Sequence, residues 1–173
     1  KTSEISLRYR ISDNESFAGT FFHNRITNLI ESDGTKMQNI NKAKITGIDI
    51  SYARYVNDTK YDIQYTYQEP KDKTNNVVLS RRPRNRMVGN VTHFFKNAES
   101  VAITTTYEST RDNSIYDTNQ LGSYFLIDVN YLKNFHGYDM GFKINNLLDK
   151  NYRLAHNYNT GGRSFNLSIK SNF

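Results

Sequence analysis

The 173-residue sequence contains no cysteine, which excludes a disulfide scaffold, a thiolate metal site and a cysteine nucleophile. Tryptophan is absent too, and proline occurs only twice. No run approaches the ~18 consecutive apolar residues that a membrane-crossing helix needs, so a helical span is excluded. Helical periodicity itself is hard to find anywhere in the chain. The four histidines, His23, His93, His136 and His156, fall on different segments without metal-ligand spacing, so no metal site is expected. The opening Lys1-Thr2-Ser3-Glu4 carries neither a signal-peptide pattern nor an initiator Met, and the chain is expected to be a piece of something longer.

What the sequence does have is tyrosine (13), phenylalanine (10) and a net charge of +6. Its mean hydropathy of −0.75 looks soluble, yet a membrane β-barrel alternates polar with apolar residues and averages to the same value. Period-two alternation recurs throughout. Tyr138, Met140, Phe142 and Ile144 oppose Asp139, Gly141, Lys143 and Asn145. The same holds for Ile5, Leu7, Tyr9 and Ile11, for Tyr61, Ile63, Tyr65 and Tyr67, and for Phe165, Leu167, Ile169 and Phe173. The pattern predicts nine strands, at 3–12, 16–27, 38–56, 60–69, 85–96, 100–109, 123–133, 138–147 and 163–173.

The connections alternate between short and long. Asp13–Glu15, Asn57–Thr59, Asn97–Glu99 and Asn134–Gly137 are short, whereas 28–37, 70–84, 110–122 and 148–162 are long. A soluble sandwich has little reason to gather its long loops at one end. A transmembrane barrel has one, because short turns face the periplasm and long loops face outward. Strands of about ten residues also match the tilted bilayer crossing. One face of each strand is aliphatic and aromatic, and the other holds Arg, Lys, Asp, Gln and Asn, as a polar lumen wants. Tyr55, Tyr61, Phe94, Phe95, Tyr131, Phe135 and Tyr138 cluster by the short turns, in the manner of an interfacial aromatic girdle. The fold class expected is therefore all-β, an antiparallel transmembrane β-barrel.

The last quarter is the most specific. Asn145-Asn-Leu-Leu-Asp-Lys-Asn-Tyr152, then Tyr158-Asn-Thr-Gly-Gly-Arg163, then a strand ending in Phe173, resembles the C-terminus of TonB-dependent outer-membrane receptors. Asn41-Lys-Ala-Lys-Ile-Thr-Gly-Ile-Asp49 resembles another segment of that family, with Asp49 in place of the usual Glu. Leu79-Ser-Arg-Arg-Pro-Arg-Asn-Arg86 resembles the element that opens a strand after a long outer loop. Within the family the resemblance lies closest to cobalamin and small catecholate-siderophore receptors. It implies that residues 1–173 are the nine C-terminal strands of a barrel of about 22, with no second domain and with the plug and TonB-binding box upstream. It also implies an outer-membrane location and active uptake of a scarce chelated nutrient, a corrinoid or a ferric siderophore, without covalent chemistry or a cofactor. The alternative is a passive porin-like or adhesin-like barrel with the same loop asymmetry. The partners implied are the chelated ligand, TonB through the missing N-terminal region, the barrel-assembly machinery and outer-membrane lipid or lipopolysaccharide.

Candidate ligand residues lie in the long loops, because loops on a rigid scaffold carry recognition. They are Tyr116 in 110–122 and Arg153, His156, Tyr158 and Asn159 in 148–162. Asn146, Asp149 and Gly161-Gly162 read as turn residues, with Asp149 capping a turn above the barrel rim. Phe165, Leu167, Ile169 and Phe173 resemble the terminal-strand signal read by the assembly machinery, weakened by Ser171 where an apolar residue is expected. Ser164 and His156 both fall near the rim, but nothing in the sequence orients them as a hydrolase pair. The basic run Arg81, Arg82, Arg84, Arg86 sits at a loop–strand junction, which favours a lipopolysaccharide-facing or lumen-lining role and no nucleic acid.

Overall fold

Antiparallel pairing of neighbours accounts for the whole architecture of the computed structural model, which describes residues 1–32, 36–114 and 117–171. The strands are β1 (Thr2–Ser12), β2 (Glu15–Ser32), β3 (Met37–Val56), β4 (Thr59–Asp72), β5 (Val77–Val78), β6 (Asn85–Phe95), β7 (Glu99–Glu108), β8 (Arg111–Ser114), β9 (Asp117–Leu121), β10 (Tyr124–Phe135), β11 (Tyr138–Asn145) and β12 (Ser164–Ser171). Nine of them follow one path, β1-β2-β3-β4-β6-β7-β10-β11-β12, with β5 appended to β4; β8 and β9 form a separate hairpin. These nine are the strands the alternation predicts. Among the described residues β1 and β12 each pair on one side only, so the sheet is open at both ends.

The short turns use residues that tolerate the left-handed backbone: Asn57 (φ 51°), Asn97 (φ 68°), His136 (φ 51°) and Gly137 (φ 84°). The long connections are more structured than the sequence pattern indicates. Between β2 and β3 the pairing continues through Leu29↔Ile40 to Ser32↔Met37. Segment 28–37 is thus mostly strand, because ladder hydrogen bonds persist after the alternation of faces has ended. Segments 70–84 and 110–122 likewise contain β5 and the β8–β9 hairpin.

Register places the two faces unambiguously. Phe21↔Ile48↔Tyr67 and Tyr52↔Ile63 lie on one face; Thr20↔Asp49↔Thr66 and Asn130↔Lys143↔Asn166 lie on the other. The apolar face is left open: Ile5 is 77% exposed, Leu167 71% and Phe165 63%, and Ile63, Met87, Ile103 and Phe142 are exposed too. So large a contiguous apolar surface needs a non-aqueous neighbour. Shallow depressions open on the polar face, over Ser16, Ala18, Ser51 and Gln64. Most of the aromatic girdle lies on the apolar face, but Tyr55 pairs with Lys60 and Phe94 with Ser100, which puts both on the polar one.

The buried apolar core is small and lies on the polar face near the long-loop end. Phe22, Ala43, Ile45 and Leu79 form it, with Ile26 and Leu29 packed alongside. Leu79 arrives there because its N–H donates to the Pro70 carbonyl at 3.0 Å, folding the β5 segment over the sheet. Phe22 lies directly opposite Gly47, where a Cβ would stand 2.5 Å from the ring and would also meet the Tyr67 carbonyl oxygen. The missing side chain is what lets the aromatic ring cover the strand.

Candidate functional site

Three segments converge at the long-loop end: the stretch after β5, the β8–β9 hairpin, and residues 146–163. Each is held by polar contacts that specific side chains supply. Asn146, buried and at φ 52°, closes the 146–150 turn. Its Nδ2 donates to the Lys150 carbonyl at 3.0 Å while its Oδ1 accepts the Lys150 N–H at 2.8 Å. The Asn146 N–H donates to Asp128 Oδ1 at 2.8 Å, tying the turn to β10. Asp149 Oδ1 accepts the Arg163 N–H at 2.8 Å, so this carboxylate fixes the entry to β12. A Cβ on Gly162 would stand 2.7 Å from that oxygen.

Arg111 is the hub of the cluster. It is 5% exposed, its Nη2 donates to the Arg153 carbonyl at 2.8 Å, and its Nη1 lies 3.7 Å from Glu108 Oε2. The guanidinium also covers the Tyr124 ring at 5.1 Å, and that ring packs on Tyr152 at 4.6 Å. Glu108 reaches Arg86 as well, at 3.4 Å. Asn113 works beside it: its Oδ1 accepts the His156 N–H at 2.9 Å, and its carbonyl accepts Arg81 Nε at 3.3 Å. The Arg81 N–H donates to the Asp112 carbonyl at 2.7 Å. Hence the β8–β9 hairpin is clamped on one side by Arg81 and on the other by the Arg153–His156 stretch.

This clamp frames two cavities. The larger, of about 800 Å³, is lined by Gln120, Leu121, Lys150, Tyr152, Arg153, His156 and Asn159 among others. The smaller, of about 280 Å³, lies over Val78, Arg82, Arg84, Arg111, Asp112 and Gln120. Gln120 borders both. Five Lys and Arg residues and one His face these spaces against a single carboxylate, Asp112. The arrangement can hold a polar, electron-rich solute by charge and hydrogen bonding.

Of the residues expected at a ligand site, Arg153, His156 and Asn159 come together on the larger cavity. Tyr158 does not line it; it is 73% exposed and its N–H donates to the Ala155 carbonyl at 3.3 Å. Tyr116 lies outside the described residues, as does Phe173. Phe165, Leu167 and Ile169 alternate onto the apolar face, all more than 60% exposed. Ser164 bonds Asn145 Nδ2 at 3.1 Å, an engagement unrelated to His156. Sequence reasoning missed Arg111 and Gln120 as cavity residues, and it gave Arg82 and Arg84 only the coarser lipopolysaccharide-facing or lumen-lining role. The basic run was visible, but its position over the polar face depends on the inward fold of the β5 segment.

Comparison with known proteins follows the same lines. A family model described as "TonB dependent receptor-like, beta-barrel" matches residues 1–166. The vitamin B12 transporter BtuB of Photobacterium profundum is 27% identical over 129 residues, covering 73% of this chain and 21% of that protein. The chain thus spans about a fifth of the length of the curated relatives it matches. Among solved structures, the siderophore receptor PirA from Acinetobacter baumannii superposes with a TM-score of 0.82 at 19% identity, covering 99% of this chain and 31% of that one. The copper transporter OprC superposes with a TM-score of 0.83 at 15% identity and the same coverage. At such identities these superpositions establish the fold.

Proposed function

Because the chain belongs to the TonB-dependent receptor β-barrel family, we propose that it is the C-terminal part of the barrel wall of an outer-membrane receptor for a scarce chelated nutrient, a corrinoid or a ferric siderophore. The observation that carries this reading is the cavity of about 800 Å³ at the long-loop end, where Lys150, Arg153, His156 and Asn159 face one space. Its volume suits a ligand of drug size or larger. Its cations suit a chelate whose coordinating oxygens or phosphate carry negative charge. The open edges of β1 and β12 support a barrel completed by strands outside residues 1–173, since lipid does not tolerate unpaired strand edges.

In this reading the apolar face meets lipid, the polar face lines the lumen, and the three clamped loops form part of the outward-facing vestibule. Release of the ligand inward depends on TonB acting through a region upstream. The alternating apolar residues of β12 and the terminal Phe173 serve recognition by the barrel-assembly machinery. The chain's residues bind and position; they perform no covalent step.

The test is a competition assay on cells expressing the full-length parent protein, with labelled cobalamin and labelled ferric siderophores. Saturable, energy-dependent uptake of one class is expected. Unsaturable uptake that scales with concentration, together with steady large conductance in planar bilayers, contradicts the receptor reading and identifies a diffusion pore.

A further inference from the structure

Arg111 carries a donor that its own surroundings leave unused. Its side chain is 2% exposed, and Nη2 donates to the Arg153 carbonyl. Nη1 is buried and forms no hydrogen bond among the described residues. The nearest carboxylate oxygen, Glu108 Oε2, stands 3.7 Å away, too far for a hydrogen bond, and Glu108 also reaches Arg86 at 3.4 Å. A buried guanidinium N–H without an acceptor is costly, so the position favours any acceptor that can approach it. Arg111 lines the smaller cavity, together with Arg82 and Arg84.

That cavity is assembled from two segments. Arg84 is set by β4: the Gln68 N–H donates to the Arg84 carbonyl at 2.9 Å, and Gln68 Nε2 donates to the Pro83 carbonyl at 2.9 Å. Gln68 stands in the row Phe22↔Gly47↔Gln68 on the polar face, so the cavity opens to water on the side away from the apolar surface. Arg111 comes from β8, across the junction where the Arg81 N–H meets the Asp112 carbonyl. The volume, about 280 Å³, falls below the roughly 300–1,000 Å³ of pockets for drug-sized ligands. Three guanidiniums against one carboxylate, Asp112, leave a surplus of two positive charges, and Thr110 and Gln120 add neutral hydrogen-bonding groups. Size and charge together call for a compact dianion.

Asp112 decides which one. A carboxylate only accepts hydrogen bonds, so it repels a fully deprotonated oxyanion and receives the proton of one that keeps it. Hydrogen phosphate keeps a proton near neutral pH, whereas sulfate has none. Gln120 Nε2 lies 3.4 Å from Asp112 Oδ1 and helps to place it. We propose that Arg82, Arg84 and Arg111 form a site for inorganic hydrogen phosphate, with Asp112 accepting its hydroxyl, and that the bound ion ties the β8–β9 hairpin to the segment after β5. Charge-assisted hydrogen bonds to a shared dianion replace repulsion between the arginines, so phosphate tightens the clamp that frames the larger cavity. An anionic arm of a chelate offers similar chemistry, and the two sources separate by whether the free ion binds alone. The site goes beyond the receptor reading and is measured without any chelate.

The experiment titrates the full-length receptor, purified in detergent and in phosphate-free buffer near neutral pH, with inorganic phosphate and separately with sulfate, read by calorimetry. The wild type is expected to bind phosphate saturably, with a Kd below about 1 mM, and sulfate about tenfold more weakly. The Arg82→Gln/Arg84→Gln variant should bind phosphate about 100-fold more weakly, at roughly tenfold per charged hydrogen bond. Asp112→Asn, nearly the same shape, should bind the two anions equally. Lys143→Gln, on the polar face between Asn130 and Asn166, should bind phosphate as the wild type does. Hydrogen exchange should slow at 78–84 and 111–114 when phosphate is added. Absence of phosphate binding by the assembled wild type overturns the inference and leaves a chelate's own arm as the occupant. Undiminished binding by the double arginine variant, a preference for phosphate retained by Asp112→Asn, or loss of binding in Lys143→Gln also overturns it. Protection confined to 150–160 does so too, by placing the ion in the larger cavity. None of these outcomes bears on the receptor reading, which stands or falls on chelate uptake.

Discussion

Asn146 and Lys150 close a ring on each other: the Asn146 carboxamide accepts the Lys150 N–H at 2.8 Å and donates to the Lys150 carbonyl at 3.0 Å. One buried side chain thereby satisfies both polar groups of a single backbone residue. It does so from φ 52°, a conformation that asparagine tolerates better than most residues. Asn146→Ala removes both bonds and strains the backbone, at a cost of about 1–3 kcal/mol for the buried groups left unpaired. Limited proteolysis of the full-length protein should then cut between 147 and 162 faster, with the level of assembled barrel unchanged.

Arg111 joins β8 to the 146–163 segment through the Arg153 carbonyl and holds its charge near Glu108. Arg111→Met keeps much of the volume over Tyr124 but removes both polar links. Ligand affinity should fall by about tenfold to a hundredfold, as expected for a charge-assisted bond whose loss frees a binding loop. Equilibrium binding to the purified variant measures this, and circular dichroism should remain that of an intact barrel.

Two of the crowded glycines, Gly47 and Gly141, should respond differently to repair. An alanine at Gly47 meets the Tyr67 backbone oxygen as well as the Phe22 ring, whereas one at Gly141 meets only side chains, Ser168 Oγ at 2.6 Å and Leu132 Cδ2 at 3.2 Å. Gly141→Ala should therefore be restored by Ser168→Ala. Gly47→Ala should stay defective even with Phe22→Ala. Heat-modified gel mobility of outer-membrane fractions reads the outcome.

Alternation along β12 makes a sharper claim about the membrane. Leu167 is exposed on the apolar face and Asn166 lies on the polar one, paired with Lys143. Leu167→Arg should cost about 2–4 kcal/mol near the bilayer midplane and lower assembly, while Asn166→Arg should be close to neutral. Because the chain has no cysteine, single cysteines at 165–170 can be labelled without background from this segment. Odd positions should react with lipid-phase probes and even ones with water-soluble probes.

Much of the fold was legible because strand pairing between sequence neighbours needs only a period of two and recognisable turns. Tyr138 to Asn145 reads correctly from its alternation alone, and the Asn57 and His136 turns announce themselves by residue type. The site was legible in part. Arg153, His156 and Asn159 share one long loop, so sequence placed them together. Arg111 joins them through the Arg153 carbonyl, and Arg84 lines the adjoining smaller cavity, because Arg81 and Asn113 hold the β8–β9 hairpin between the segment after β5 and the 146–163 loop, contacts of long range that no local pattern encodes. The girdle expectation failed at Tyr55 and Phe94 for a simpler reason: proximity to a turn does not fix which face a residue takes, and register does.

The most direct test of the account is equilibrium binding of labelled cobalamin and labelled ferric siderophore to the full-length receptor and to its Arg153→Ala/His156→Ala variant. The account predicts that one ligand class binds the wild type saturably, and that the variant assembles to normal levels but binds at least tenfold more weakly. Unchanged affinity in the variant, or absence of saturable binding of either class by a correctly assembled wild type, contradicts it.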